Sequence, residues 1–89
     1  MRELFLKSLK ITDEAGAVRR YNYYILIGEM SIGAGSCESY GVKIAERGGD
    51  EMQVPDVTSS AARIDELCEL LLRNTVTPAS LTDVLSDWL

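Results

Sequence analysis

Tyr21-Asn22-Tyr23-Tyr24-Ile25-Leu26-Ile27 is the most strand-like stretch of the chain. Aromatic and β-branched residues fill it, a composition that suits a pleated and buried surface. Tyr21, Tyr23, Ile25 and Ile27 alternate on one side, and Tyr24 and Leu26 fall on the other. A strand apolar on both sides belongs at the centre of a sheet, so its flanks should supply the neighbours.

On the N-terminal flank, residues 2–12 read as a first strand and Asp13-Glu14-Ala15-Gly16-Ala17 as a hairpin loop. A loop centred on Ala15 sets Phe5 opposite Ile25 and Leu9 opposite Tyr21, which puts the apolar residues of both strands on one face. Lys7 then stands opposite Tyr23, with its stem packed and its ammonium in water. The second strand is expected over 18–32. The glycines of Gly33-Ala34-Gly35-Ser36 suit a tight turn. A two-residue loop at Ala34-Gly35 pairs Ile25 with Ile44, Ile27 with Val42, Tyr24 with Ala45 and Gly28 with Gly41. The third strand is expected over 37–47, with Tyr40, Val42 and Ile44 on the core face. After it, a two-residue Gly48-Gly49 loop would oppose Glu46 with Glu51. A three-residue loop opposes Arg47 with Glu51 and Ile44 with Val54, and opposite charges favour it. The fourth strand, over 51–54, should end at Pro55.

Beyond Val57 the apolar period becomes helical. Ser59 or Ser60 can cap a helix over 60–73, with Ala61, Ile64, Leu67, Cys68 and Leu71 on one face. Asn74 suits its left-handed end. Thr77-Pro78 reads as the cap and first residue of a second helix over 78–88, with Leu81, Val84, Leu85, Trp88 and Leu89 as its apolar stripe. The short connection makes the two a helical hairpin. The expected fold is a single α+β domain over 1–89: a four-stranded antiparallel meander sheet followed by two C-terminal helices packed on one face.

Composition narrows the function. Eighty-nine residues suffice for one modest core, and 46% apolar with 26% charged residues is the balance of a folded domain. The net charge of −5 argues against a nucleic-acid partner, which needs clustered Lys and Arg. Arg2, Lys7, Lys10, Arg19 and Arg20 nonetheless concentrate in the first twenty positions. No apolar run is long enough to span a bilayer, so no membrane partner is expected. Cys37 and Cys68 lie far apart with no Cys-x-x-Cys spacing, and no signal-peptide pattern opens the chain. Reduced thiols and a cytoplasmic location are the expectation.

Histidine is absent, which removes Ser-His and Cys-His nucleophiles and imidazole zinc sites. Gly33-Ala34-Gly35 lacks the rest of a dinucleotide fingerprint, and no Walker-type Gly-Lys-Ser/Thr occurs. Cys68 falls in an apolar stripe, as a buried structural thiol would. Asp83 and Asp87 lie one helical turn apart on a polar face, too few ligands for a metal site, and they would repel phosphates from a helix-turn-helix. No catalytic residue, metal ligand or cofactor is therefore expected, and an enzyme is not the reading. What remains is a surface. Two helices cover one sheet face, and Leu4, Leu6, Tyr24 and Leu26, beside Gly41 and Ala45, occupy the other. Those four residues are the candidate site of a non-catalytic interaction module that binds a protein partner or itself. The alternative is a small-ligand or regulatory domain with a pocket between sheet and helices, lined by Tyr23, Tyr40 or Trp88.

The run Arg73-Asn74-Thr75-Val76-Thr77-Pro78-Ala79-Ser80-Leu81-Thr82-Asp83-Val84-Leu85 resembles the ending of a family of short, uncharacterised proteins of Gram-positive, clostridia-type bacteria. Ser39-Tyr40-Gly41-Val42 is similar to that family's middle. The resemblance implies a bacterial cytoplasmic protein, and it brings no activity and no catalytic residues.

Overall fold

The computed structural model describes residues 1–89, apart from the side chain of Ile32. Six elements follow one another: β1 (Arg2–Thr12), β2 (Val18–Ile32), β3 (Gly35–Glu46), β4 (Glu51–Thr58), α1 (Ala61–Arg73) and α2 (Leu81–Trp88). The strands form one antiparallel sheet in the order β1-β2-β3-β4, followed by the two helices. This is the expected α+β class.

The core lies between the helices and one sheet face. Tyr21, Tyr23, Ile25, Val42 and Ile44 meet Ile64, Leu67, Cys68 and Leu71 of α1, Val76 of the connection, and Leu81 and Leu85 of α2. Ile44 and Leu67 are fully enclosed, and side chains of this size contribute about 1.5–3 kcal/mol each on burial. Tyr23 carries a polar atom into this core. Its hydroxyl donates to the Val76 carbonyl oxygen at 2.8 Å, so the phenol fastens β2 to the segment joining the helices.

Helix α1 starts from a hydroxyl cap. Ser60 is extended, and its Oγ accepts from the Arg63 backbone N–H at 3.2 Å. At the other end Asn74 has φ −95°, and the left-handed conformation falls instead on Thr75 at φ 48°. Asn74 Nδ2 donates to the Leu70 carbonyl oxygen at 3.1 Å. That bond holds its side chain along the helix while the chain turns one residue later. Helix α2 begins at Leu81, three residues after the expected start, because Thr77–Ser80 forms a turn of its own. Ser80 Oγ accepts from the Thr77 N–H at 3.1 Å, a side chain reaching back as in a capping box.

Two hairpin registers differ from expectation by two residues. The β2–β3 turn uses Gly33-Ala34, so that Ile25 pairs with Val42, Tyr23 with Ile44 and Tyr24 with Lys43. Positive φ at Gly33 alone, 60°, suits the first central position of a type II′ turn. The β3–β4 loop is Arg47-Gly48-Gly49, closed by the Glu46 N–H donating to the Asp50 carbonyl oxygen at 2.8 Å. Val54 therefore meets Val42, and Glu51 meets Ala45 in place of Arg47. A slip of two keeps every side chain on its own face, which is why the core membership of β2 and β3 is unaffected.

Two bulges interrupt the pairing, and the one in β1 changes faces. Between Phe5 and Lys7 the β1 register shifts, so Leu4 stands opposite Ile25 and Phe5 opposite Tyr24. Leu6, the extra residue, packs against the core. In β4 the strand does not stop at Pro55. Val54 pairs with Val42 and Thr58 with Tyr40, leaving Pro55, Asp56 and Val57 to span Gly41 alone. Pro55 brings no ladder donor, and Asp56 takes φ 54°, so the strand arches out of the sheet here.

Beyond Ile27 and Tyr40, β2 and β3 run on without β1 or β4 beside them. Residues 28–39 form a two-stranded arm, paired from Gly28–Ser39 to Ile32–Gly35. The arm makes the molecule 54 Å long and gives a radius of gyration of 14.0 Å, against the ~12 Å of a compact chain of this length.

Candidate functional site

The sheet face turned away from the helices is the candidate site. Strand alternation from the observed pairs places Glu3, Phe5 and Lys10 of β1 there, with Arg20, Tyr24 and Leu26 of β2 and Ser39, Gly41 and Lys43 of β3.

The four residues expected on this face separate. Leu4 turns to the helix side opposite Ile25 and stays exposed at the sheet edge, while Leu6 enters the core through the bulge. Leu26 does lie on the open face, but only 1% of it is accessible. Its cross-strand partner Gly41 explains this. A Cβ on Gly41 would lie 2.6 Å from Pro55 Cα and closer still to the Val54 carbonyl oxygen. The arch of β4 thus folds over the open face at Gly41, roofing Leu26 and the neighbouring Ser39. Ser39 Oγ is enclosed without a hydrogen-bond partner among the described residues. Tyr24 alone of the four both lies on the open face and reaches solvent.

Phe5, expected in the core opposite Ile25, joins Tyr24 instead. It is 54% exposed, and its ring meets Tyr24 edge-on with centroids 5.6 Å apart. The sequence does carry a signal for this. Leu4 and Leu6 are out of phase with Leu9 and Ile11, and one extra residue between them restores a common apolar face.

Lys43 occupies the centre of the face. Its ammonium lies 2.9 Å from Glu3 Oε1, 3.8 Å from Glu51 Oε2 and 5.4 Å from the Tyr24 ring centroid. The hydrogen bond to Glu3 holds the Lys43 pKa above its ordinary value. The cation so ties both edge strands to the middle of the sheet and leaves the aromatic pair flanked by carboxylates.

Toward the β1–β2 turn the charge changes. Lys10 and Arg20 are directly opposed, and the Arg47 N–H donates to the Arg20 carbonyl oxygen at 2.8 Å. These three side chains, with Val18 and Gly48, line an open cleft. Among the described residues none of the three forms an ion pair. Arg19, by contrast, lies 2.9 Å from Glu46 and 3.4 Å from Asp13.

Elsewhere the chemistry is spare. Burial pushes the Cys68 thiol up to about 11, and Cys37 and Cys68 are both free. Trp88 lines an open cleft between the helices with Leu70, Val84 and Asp87, and the Arg63 guanidinium lies 4.3 Å from its ring centroid. Among the described residues no three acidic or thiol side chains gather as a metal site, and no helix is long and apolar enough to cross a membrane.

Residues 2–89 match the model of DUF6514, a family of unknown function. The chain belongs to this family. The family is described by no activity, so the site must be read from its own geometry. Comparison with curated proteins and with solved structures gives no match.

Proposed function

We propose that this DUF6514 chain is a non-catalytic protein–protein interaction module of the bacterial cytoplasm that engages a protein partner, or a second copy, through the open sheet face. One observation carries the reading: Phe5 stands half-exposed, edge-on to Tyr24, on a face no helix covers. Aromatic side chains at such positions bring large contact area at low entropic cost and recur as interface anchors. The absence of histidine and the protonated, buried Cys68 support a role without acid–base or nucleophilic chemistry. The two free cysteines accord with a reducing compartment. The alternative of a ligand pocket between sheet and helices has less support, because Tyr23, Val42, Ile44, Leu67 and Leu81 fill that space.

The test is light scattering across a concentration series, together with capture on the immobilised chain, for the parent and for Phe5→Ser and Tyr24→Ser. Both substitutions should abolish association while leaving the circular dichroism spectrum unchanged. Association insensitive to either substitution refutes the reading.

A further inference from the structure

Resting on that reading, we infer that the partner is a protein segment with carboxylates at one end and an apolar side chain at the other, laid along β2 of the open face. Its carboxylates meet Lys10, Arg20 and Arg47, and its apolar side chain meets Phe5 and Tyr24.

The charge distribution points to this chemistry. A chain of net charge −5 gathers three unpaired cations around one cleft, two of them directly opposed across β1 and β2. Like charges so placed are unfavourable unless an anion lies between them. The two guanidinium groups offer planar forks that match carboxylate geometry, and Lys10 adds a third donor. Five of the fourteen acidic side chains lie on the helices, and Asp13 and Glu46, at this end of the sheet, are engaged by Arg19. The molecule is 17 Å through its thinnest dimension, about twice the ~8 Å screening length at physiological salt, so the helix carboxylates contribute little at this face.

The same face sets the segment's pattern. Arg20 and Tyr24 are four residues apart on β2, about 13 Å. An extended segment would therefore separate its acidic group from its apolar anchor by about four residues. The pattern also distinguishes a protein from a single-stranded nucleic acid. A nucleic acid needs cations along its whole track and free ring faces for stacking. Here Glu3 and Glu51 flank the aromatic pair, and the Lys43 ammonium and the Phe5 ring already engage Tyr24.

The test is an NMR titration of the isotope-labelled full chain with a synthetic peptide of three glutamates, three serines and a terminal Leu-Phe pair. The controls are the same peptide with glutamine for glutamate, and a ten-residue oligothymidylate. Saturable shifts are expected at Lys10, Arg20 and Gly48 and at Phe5 and Tyr24. Binding should weaken about tenfold with the glutamine peptide, in the Arg20→Glu/Arg47→Glu variant and, to a smaller extent, in Lys10→Gln. Shifts that map elsewhere, equal binding of the glutamine peptide, or tighter binding of oligothymidylate overturn the inference. If it fails while association still depends on Phe5 and Tyr24, the acidic partner is wrong and the interaction module stands.

Discussion

Replacing Gly41 by alanine tests the roof over the open face. The new methyl would sit 2.6 Å from Pro55 Cα and nearer still to the Val54 carbonyl oxygen, where ordinary contact is 3.4–4 Å. The obstacle is backbone, which cannot swing aside as a long side chain would, so the β4 arch must lift by about an ångström. Forcing a methyl into a closed site costs about 1–3 kcal/mol, and a main-chain obstacle argues for the upper half of that range. With a urea dependence of about 1 kcal/mol per molar for a small domain, the midpoint should fall by about 2 M. Urea titration followed by Trp88 fluorescence measures this, with Gly28→Ala as the control. A Cβ at Gly28 meets nothing within 4 Å, so that variant should match or slightly exceed the parent. Equal midpoints for the two alanine variants would refute the roof.

Further outcomes follow from the core and its caps. Tyr23→Phe keeps the ring but leaves the Val76 carbonyl oxygen without its donor, and urea titration should show a loss of about 1–3 kcal/mol. Burial holds the Tyr23 phenol up to about 12 and the Cys68 thiol up to about 11, from ordinary values of 10.0 and 9.0. The folded chain keeps these protons where the unfolded chain releases them. Their stabilisation is therefore whole below pH 9 and is lost as pH rises through about 11 for Cys68 and about 12 for Tyr23. Melting temperatures across that range should fall more gently in Tyr23→Phe above pH 10. At pH 8 a thiol reagent should modify Cys37 in the folded protein and reach Cys68 only in denaturant; simultaneous modification would contradict the burial of Cys68. Ser60→Ala removes the α1 cap and should cost about 1 kcal/mol by the same urea assay.

Much of the architecture is legible in residue patterns. The helical spacing of Ile64, Leu67, Cys68 and Leu71 and the alternation in β2 and β3 depend only on which face a residue occupies, and two-residue register slips leave that unchanged. The bulges behave differently: the one extra residue in β1 inverts the face of Leu4 and Phe5 before it, and the two extra residues in β4 lift that strand out of the sheet. Their traces are phase breaks, Leu6 to Leu9 in β1 and Val54 to Val57 in β4, which strict alternation passes over. Of the site, Tyr24 is visible on the open face from its strand alone. Phe5 appears there only once the bulge is known. Lys10 opposite Arg20 follows from the first hairpin, but Arg47 joins them only with the turn at Gly33-Ala34. Whole-chain charge conceals the grouping, since it averages a basic cleft with acidic helices.

The two-stranded arm divides the chain into regions of unequal permanence. Past Gly28 and Ser39 each backbone bond has only the opposite strand to support it, with no third strand and no helix behind. Such a ribbon can unzip from its tip while the packed body stays closed, exchanging its amide hydrogens through openings that cost far less than global unfolding. The body, with Tyr23 bonded across to Val76, yields its slowest amides only when everything opens. One continuous pair of strands thus joins a ribbon expected to open early to a packed body expected to open last.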